Sequence, residues 1–409
     1  MNFMEIHVIG GGLCRSRQPI LTLGTGSNWM PRFQLMMPIL GVMFFFACQR
    51  PLDAQLTILH SFGDGSVTND GANPQAGLIQ APNGDFFGVT THQAAQPDVA
   101  AGTVFRMTPA GRVSVIYRFG FKSNLWSDSP LLYYHGKLIG VTPSGPSSTG
   151  TGSLFALSKS ASTSKWRLSF WQKNIGVEGN VILGSDGNFY GVGFDGVFKI
   201  SPTTHQVTTV FNTIDSSNYF VAPGLVEGSD GNFYGSTLYL RGLQYQSGAI
   251  FQLAPSGQVS FTQFQVLAGT GPMIQAGNGT FYGIGGTFDD IGTMSPGIVF
   301  SYPPNGSPSI LHLFGQGSDG TYPVGTVVQG PKGDLYGVTS LGGTAGAGIL
   351  FEVSTLGVYT ILHNFGDGSI QNDGLGPQGT LIVGKDNNLY GTTSGGGKAG
   401  LGIVFKFTL

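Results

Sequence analysis

The stretch GTLIVGKDNNLYGTTSGGGKAGLGIVFKFTL, residues 379–409, holds three short apolar segments set apart by polar and glycine-rich turns. GTLIVG (379–384) leads to NLYGTT (388–393) and then, past a loop of small residues, to GIVFKFT (402–408). Segments this short, rich in aromatic and β-branched residues and bounded by Gly, Asn and Asp, read as β-strands. The stretch stops on its third strand.

The middle segment recurs through the chain as DFFGVT, KLIGVT, NFYGVG, NFYGST, TFYGIG, DLYGVT and NLYGTT. Its glycines are Gly88, Gly140, Gly191, Gly235, Gly283, Gly337 and Gly391, at intervals of 44 to 54 residues. Before each lies a short apolar strand, such as AGLIQA at 76–81 or GLVEG at 224–228, and a polar turn. The Asn-Gly and Asp-Gly pairs in these turns supply the positive φ angles of a tight hairpin. A third strand follows each motif and carries Phe105, Phe155, Phe198, Phe251, Phe300, Phe351 or Phe405. Fourth strands come next, as in RVSVIYRF, QVTTVF, SILHLF and YTILHNF. Four antiparallel strands repeated at this spacing make a propeller blade. The sequence therefore predicts an all-β fold: a seven-bladed β-propeller with four-stranded antiparallel blades.

The fourth strand missing from 379–409 stands at the other end of the repeats. LTILHSF, residues 56–62, is a fourth strand with no blade before it. Pairing it with residues 402–409 completes the seventh blade and leaves the ring without an open edge. An open solenoid of the same units would need capping repeats, and neither end reads as one. The motif glycine is expected to leave room for a bulky side chain of the adjacent blade.

The 409 residues include 68 glycines, and 40% are hydrophobic while 10% are charged. That is enough apolar material for a large core. A formal net charge of −2 with no basic run gives no footing for nucleic acid. Both cysteines, Cys14 and Cys48, precede residue 55, so the repeats contain no disulfide, thiol nucleophile or thiolate ligand.

Residues 1–54 read as an N-terminal targeting segment and 55–409 as the propeller. The apolar run at 33–48 follows Arg32 and suits the core of a signal peptide better than a membrane span. Cleavage after Ala54, with Leu52 at −3, would release a chain starting at Gln55. Alternatively Phe45-Phe46-Ala47-Cys48 serves as a lipobox with Cys48 lipidated, or the run is retained as an anchor helix. Met30 is the more ordinary start for such a signal. The expected location is secreted or cell envelope, with membrane contact only through this segment or a lipid.

The LYGTT segment, glycine-rich loop, GIVFK strand and ILHNFGDGS turn together resemble the bacterial GloVer tandem repeat of exported, choice-of-anchor proteins. The resemblance covers residues 56–409 and is closest at 56–105 and 308–409. It implies export and a repeat architecture, and it brings no catalytic residue with it.

Loops from a fourth strand into the next inner strand are expected beside the central channel. FGDGSVTNDGANP (62–74), SDSP (127–130), FGQGSDGTYP (314–323) and FGDGSIQNDGLGP (365–377) would place Asp70, Asp128, Asp319 and Asp373 at comparable positions near its mouth. Such carboxylates form a partial ring for a cation or a polyhydroxylated ligand, or each caps its own turn. The loops TTHQAAQPDVAAG (90–102), TSLGGTAGAG (339–348) and TSGGGKAGLG (393–402) offer a binding surface or are solvated coil. His60, His312 and His363 share one position on outer strands of different blades. That separation favours structural hydrogen bonds over a metal site.

No nucleophile, metal or cofactor motif appears. The residue inventory points to a monomeric, non-catalytic binding or interaction module of the envelope or extracellular space, with a glycan or another surface polymer as partner. A polysaccharide hydrolase or lyase using channel-mouth aspartates is one alternative. A structural surface protein is another.

Overall fold

The computed structural model describes residues 56–94, 96–120, 126–143, 152–193, 196–212, 219–221, 224–241, 244–264, 268–269, 271–286 and 296–409. The targeting segment and Cys48 lie outside the described residues. From residue 56 onward the chain forms seven antiparallel sheets, each wound from an inner strand to an outer one. The first blade runs Ile79–Gln80, Phe86–Gln93, Gln96–Met107, Val113–Arg118, and the second Leu132–Tyr134, Lys137–Thr142, Ser153–Lys159, Trp166–Gln172. In several blades the inner strand is broken in two, as at Gly374–Pro377 and Ile382–Val383 of the seventh.

That seventh blade continues through Leu389–Gly396 and Ile403–Phe407 and takes Leu56–Ser61 as its outer strand. Leu56 pairs with Phe407, Thr57 with Lys406 and Ile58 with Phe405; past a bulge, Ser61 pairs with Ile403. The two ends of the repeat region thus close one sheet.

Where the sequence predicts that the motif glycine makes room for the neighbouring blade, it makes room for a ring of its own blade instead. In all seven blades it stands opposite the conserved-position phenylalanine of its own third strand, from Gly88 with Phe105 to Gly391 with Phe405. The ring folds back over the glycine: a Cβ at Gly191 would lie 2.7 Å from Phe198 Cζ. An apolar inner-strand residue closes the same space from the other side, Leu78 over Gly88, Leu131 over Gly140 and Leu381 over Gly391.

Blades meet through aromatic rings instead. Phe86 packs on Tyr390 of the preceding blade at 4.4 Å between centroids, Phe233 on Tyr190 at 4.1 Å, and Phe281 on Tyr234 at 4.2 Å. These tyrosines keep their hydroxyls satisfied by the preceding turn, Tyr190 donating to Asp186 and Tyr390 to Asp386. Burial works to raise the Asp186 carboxyl, but hydrogen bonds from Lys199, Asn188 and Tyr190 outweigh it and hold it well below the usual carboxylate range.

A second repeated contact ties blade to blade at the hairpin turns. The Lys385 amide donates to Gln80 Oε1 at 2.9 Å, Ser185 to Glu227 at 2.7 Å, Ser229 to Gln275 at 2.7 Å and Gly277 to Gln329 at 3.3 Å. Between blades one and two, and again between six and seven, the corresponding donors are Pro82 and Pro331, which have no N–H. Their would-be acceptors are Tyr133 and Val383. Donor and acceptor are lost together.

The expected loop at 90–102 is largely strand, because Phe86–Gln93 and Gln96–Met107 prolong the hairpin.

Candidate functional site

Inner strands from all seven blades surround a cavity of about 650 Å³. Its wall is mostly aliphatic, with Leu78, Ile182, Leu225, Met273 and Ile382 among the lining residues. The polar lining includes Gln75, Asp128, Asn180, Glu227, Thr326 and Gln378. Among the described residues, no Lys, Arg or His lines it. The Glu227 carboxylate accepts from the amide and hydroxyl of Ser185, which leaves Asp128 as the charged group open to the space.

The inner strand fixes which residues reach the cavity. Counting back from the apolar residue that covers each motif glycine, Gln75, Asp128 and Gln378 all stand three positions before Leu78, Leu131 and Leu381. Asp70, Asp319 and Asp373 stand eight positions before Leu78, Val327 and Leu381. The four aspartates are therefore not at comparable positions: SDSP is an inner-strand approach, and the other three loops turn five residues earlier.

Those three aspartates are engaged within the blades. Asp70 Oδ2 meets His60 Nε2 at 2.7 Å, Asp319 meets His312 at 3.0 Å, and Asp373 meets His363 at 2.8 Å. Each carboxylate also accepts a backbone amide at the start of its own loop, from Gly63, Gly315 or Gly366. Asp70 is 0% exposed and the other two at most 8%. The turns that seat Asp70 and Asp373 are shaped by Asn69 and Asn372, both with positive φ. His312 also stacks on Tyr359, 3.7 Å between centroids. Burial pulls its imidazole below the usual value, against the opposing pull of Asp319. The three histidines thus serve as hydrogen-bond partners of loop carboxylates in separate blades. Among the described residues, no three His, Cys, Asp or Glu side chains converge to hold a metal ion.

Asp128 differs in every respect. Its side chain keeps contact with the channel, and its hydrogen-bond partner outside the main chain is the Ser129 hydroxyl at 3.3 Å. Although the residue is exposed to the channel, the protein packed around its carboxyl raises it above the ordinary range, with its own amide and Ser129 opposing. Two further oxygens of lining residues, Asn180 Oδ1 and Thr326 Oγ1, are buried and have no hydrogen-bond partner. Buried polar atoms left in that state are rare in folded proteins. Chemically, the cavity offers an aliphatic sleeve with a few acceptor groups and no fixed cation.

A family model described as Gloeobacter/Verrucomicrobia repeat matches residues 40–237 and 269–409. No curated protein matches the sequence. Among solved structures, a catalytically inactive virginiamycin B lyase of Staphylococcus aureus with quinupristin superposes with a TM-score of 0.55 at 10% identity, over 87% of this chain and 99% of that one. The extracellular domain of a hybrid two-component system of B. thetaiotaomicron gives a TM-score of 0.52 at 12% identity, over 82% of this chain and 40% of that one. At such identities the likeness is one of fold alone.

Proposed function

We propose a binding role for this chain, which belongs to the Gloeobacter/Verrucomicrobia repeat family: it takes a small ligand into the central channel. Asp128 and the unpartnered oxygens of Asn180 and Thr326, on other blades, accept the ligand's hydrogen-bond donors, and the aliphatic wall encloses its body. The observation that carries this reading is the cavity itself, to which every blade contributes and in which Asp128 is the charged group left open. Its volume sits within the range of small-molecule sites, about 300–1,000 Å³, and its mix of apolar wall with few polar groups is theirs as well. A ligand carrying donors, such as an ammonium group or a hydroxylated chain, fits an acceptor set without cations.

Binding fits better than turnover. Hydrolysis of a glycosidic bond needs two presented carboxylates, and Asp70, Asp319 and Asp373 are held by histidines. Export to the envelope or beyond, through the apolar run at 33–48 or a lipid on Cys48, is part of the same proposal.

The test is calorimetric titration of the full chain with n-butylammonium and with n-butanol, in parallel with Asp128→Asn. Butylammonium binding that Asp128→Asn weakens about tenfold or more, equivalent to about 1.4 kcal/mol, supports the reading. Undiminished binding in the variant, or no binding of either probe, overturns it.

A further inference from the structure

We propose that the cleft between the first and second blades is a saccharide site, one that holds a carboxylate-bearing sugar ring of a polysaccharide against the Trp166 indole. The inference is independent of the channel reading and concerns another part of the ring.

The cleft has a volume of about 300 Å³ and is lined from the first blade by Asn83, Asp85 and Arg106, and from the second by Tyr133, Lys159 and Trp166. It opens where the repeat breaks its own rule. At four interfaces a hairpin-turn amide reaches a Gln or Glu of the next blade; here, as between blades six and seven, the turn residue is a proline, Pro82, and the facing residue is Tyr133. The tyrosine of the interblade ladder is Phe87 in this blade, and the turn Asp of the third and seventh blades is Asn83. At this interface Asn83, Phe87 and Tyr133 all line the same cleft.

The chemistry of the walls selects the occupant. Arg106 grips Asp85 with Nε and Nη2, both at 2.8 Å, and Asn83 Nδ2 reaches the same carboxylate oxygen at 2.6 Å. Asp85 is thereby neutralised and held rigid. Lys159 stands directly opposite Trp166 across the last two strands of its blade. It is exposed and forms no ion pair among the described residues. The uncompensated charge of the cleft is therefore positive, and it lies next to a half-buried indole. An aromatic plane takes the C–H face of a pyranose, and a fixed guanidinium–carboxylate–amide group takes its hydroxyl edge. A free ammonium takes a carboxylate. An acidic sugar supplies all three; a neutral sugar leaves Lys159 without a partner.

Calorimetry of the full chain with tetragalacturonate and with cellotetraose tests this. Tetragalacturonate should bind, more weakly at high salt, and cellotetraose at least about tenfold less tightly. Trp166→Ala should weaken tetragalacturonate about tenfold or more, in line with the loss of an aromatic anchor. Lys159→Ala, on an exposed side chain, should leave the melting curve unchanged, weaken binding severalfold and flatten its salt dependence, so the test survives if Trp166→Ala does not fold. Equal binding of the two sugars, no effect of Lys159→Ala, or no binding at all would overturn the proposal.

Discussion

Phe405 stands directly across the sheet from Gly391, and its ring fills the space in which a side chain at 391 would sit. The same pair recurs in each of the seven blades, so one local packing solution is repeated around the ring. A Cβ at Gly391 would come 2.5 Å from Phe405 Cζ. Gly391→Ala should therefore overpack the blade and cost about 1–3 kcal/mol, read from urea unfolding. Adding Phe405→Leu should return part of that loss, because the two residues are coupled. Strict additivity would show that the ring is not what excludes the methyl.

Ring closure can be locked covalently. Thr57 and Lys406 are direct antiparallel partners, whose Cα atoms in such a ladder lie about 4.5–5.5 Å apart, inside the range a disulfide spans. The double variant Thr57→Cys, Lys406→Cys should oxidise readily and raise the melting temperature, with an upper bound of about 6 kcal/mol from the length of the closed loop. A pair that stays reduced under mild oxidation would contradict the pairing.

Asp128 should weaken the fold it sits in. Its folded-state carboxyl is raised, so folding favours the protonated form more than the unfolded chain does, and stability falls as pH climbs from the ordinary carboxylate value through the raised one. Asp128→Asn should remove that loss and melt higher than the parent at neutral pH, with the two proteins converging in acid. A variant that melts lower at neutral pH would mean the carboxylate is stabilised by partners other than those described.

The buried histidine–aspartate pairs should behave in the opposite way on mutation. Asp70→Ala strips His60 of its partner at a site with no solvent exposure, at a cost of about 1–3 kcal/mol. Ligand binding in the channel should not change. Altered affinity with unaltered stability would return Asp70 to the ligand site.

His312 sets a pH limit of its own. Burial favours its neutral form, so the stability it contributes is present above the ordinary imidazole value and is lost as pH falls below that value toward the lowered folded one. Melting temperature measured from neutral to mildly acid pH should drop, and His312→Gln should reduce the drop. An unchanged slope in the variant would assign the sensitivity to another group.

Blade count, strand order and ring closure were legible in the sequence because each follows from a period and from a mismatch between the two ends. The role of the motif glycine was not, since the Gly391–Phe405 contact depends on cross-strand register, which a one-residue slip would change. Asp128 was grouped with Asp70, Asp319 and Asp373 by the look of its loop. Counting from Leu131 would have placed it with Gln75 and Gln378 on the channel. The interblade hydrogen bonds were written in the chain as Gln80, Glu227, Gln275 and Gln329. They join residues of different repeats, though, and a comparison of repeats one beneath another does not show such pairs.

The pairing of Leu56–Ser61 with Ile403–Phe407 also sets an order of events during synthesis. Among the strands of the propeller, the one that seals the ring is synthesised first and its partner last. Until that partner is made, the strand has no mate for the edge it pairs in the finished ring. A product cut short before Ile403 never acquires that mate, and its seventh sheet keeps an open edge.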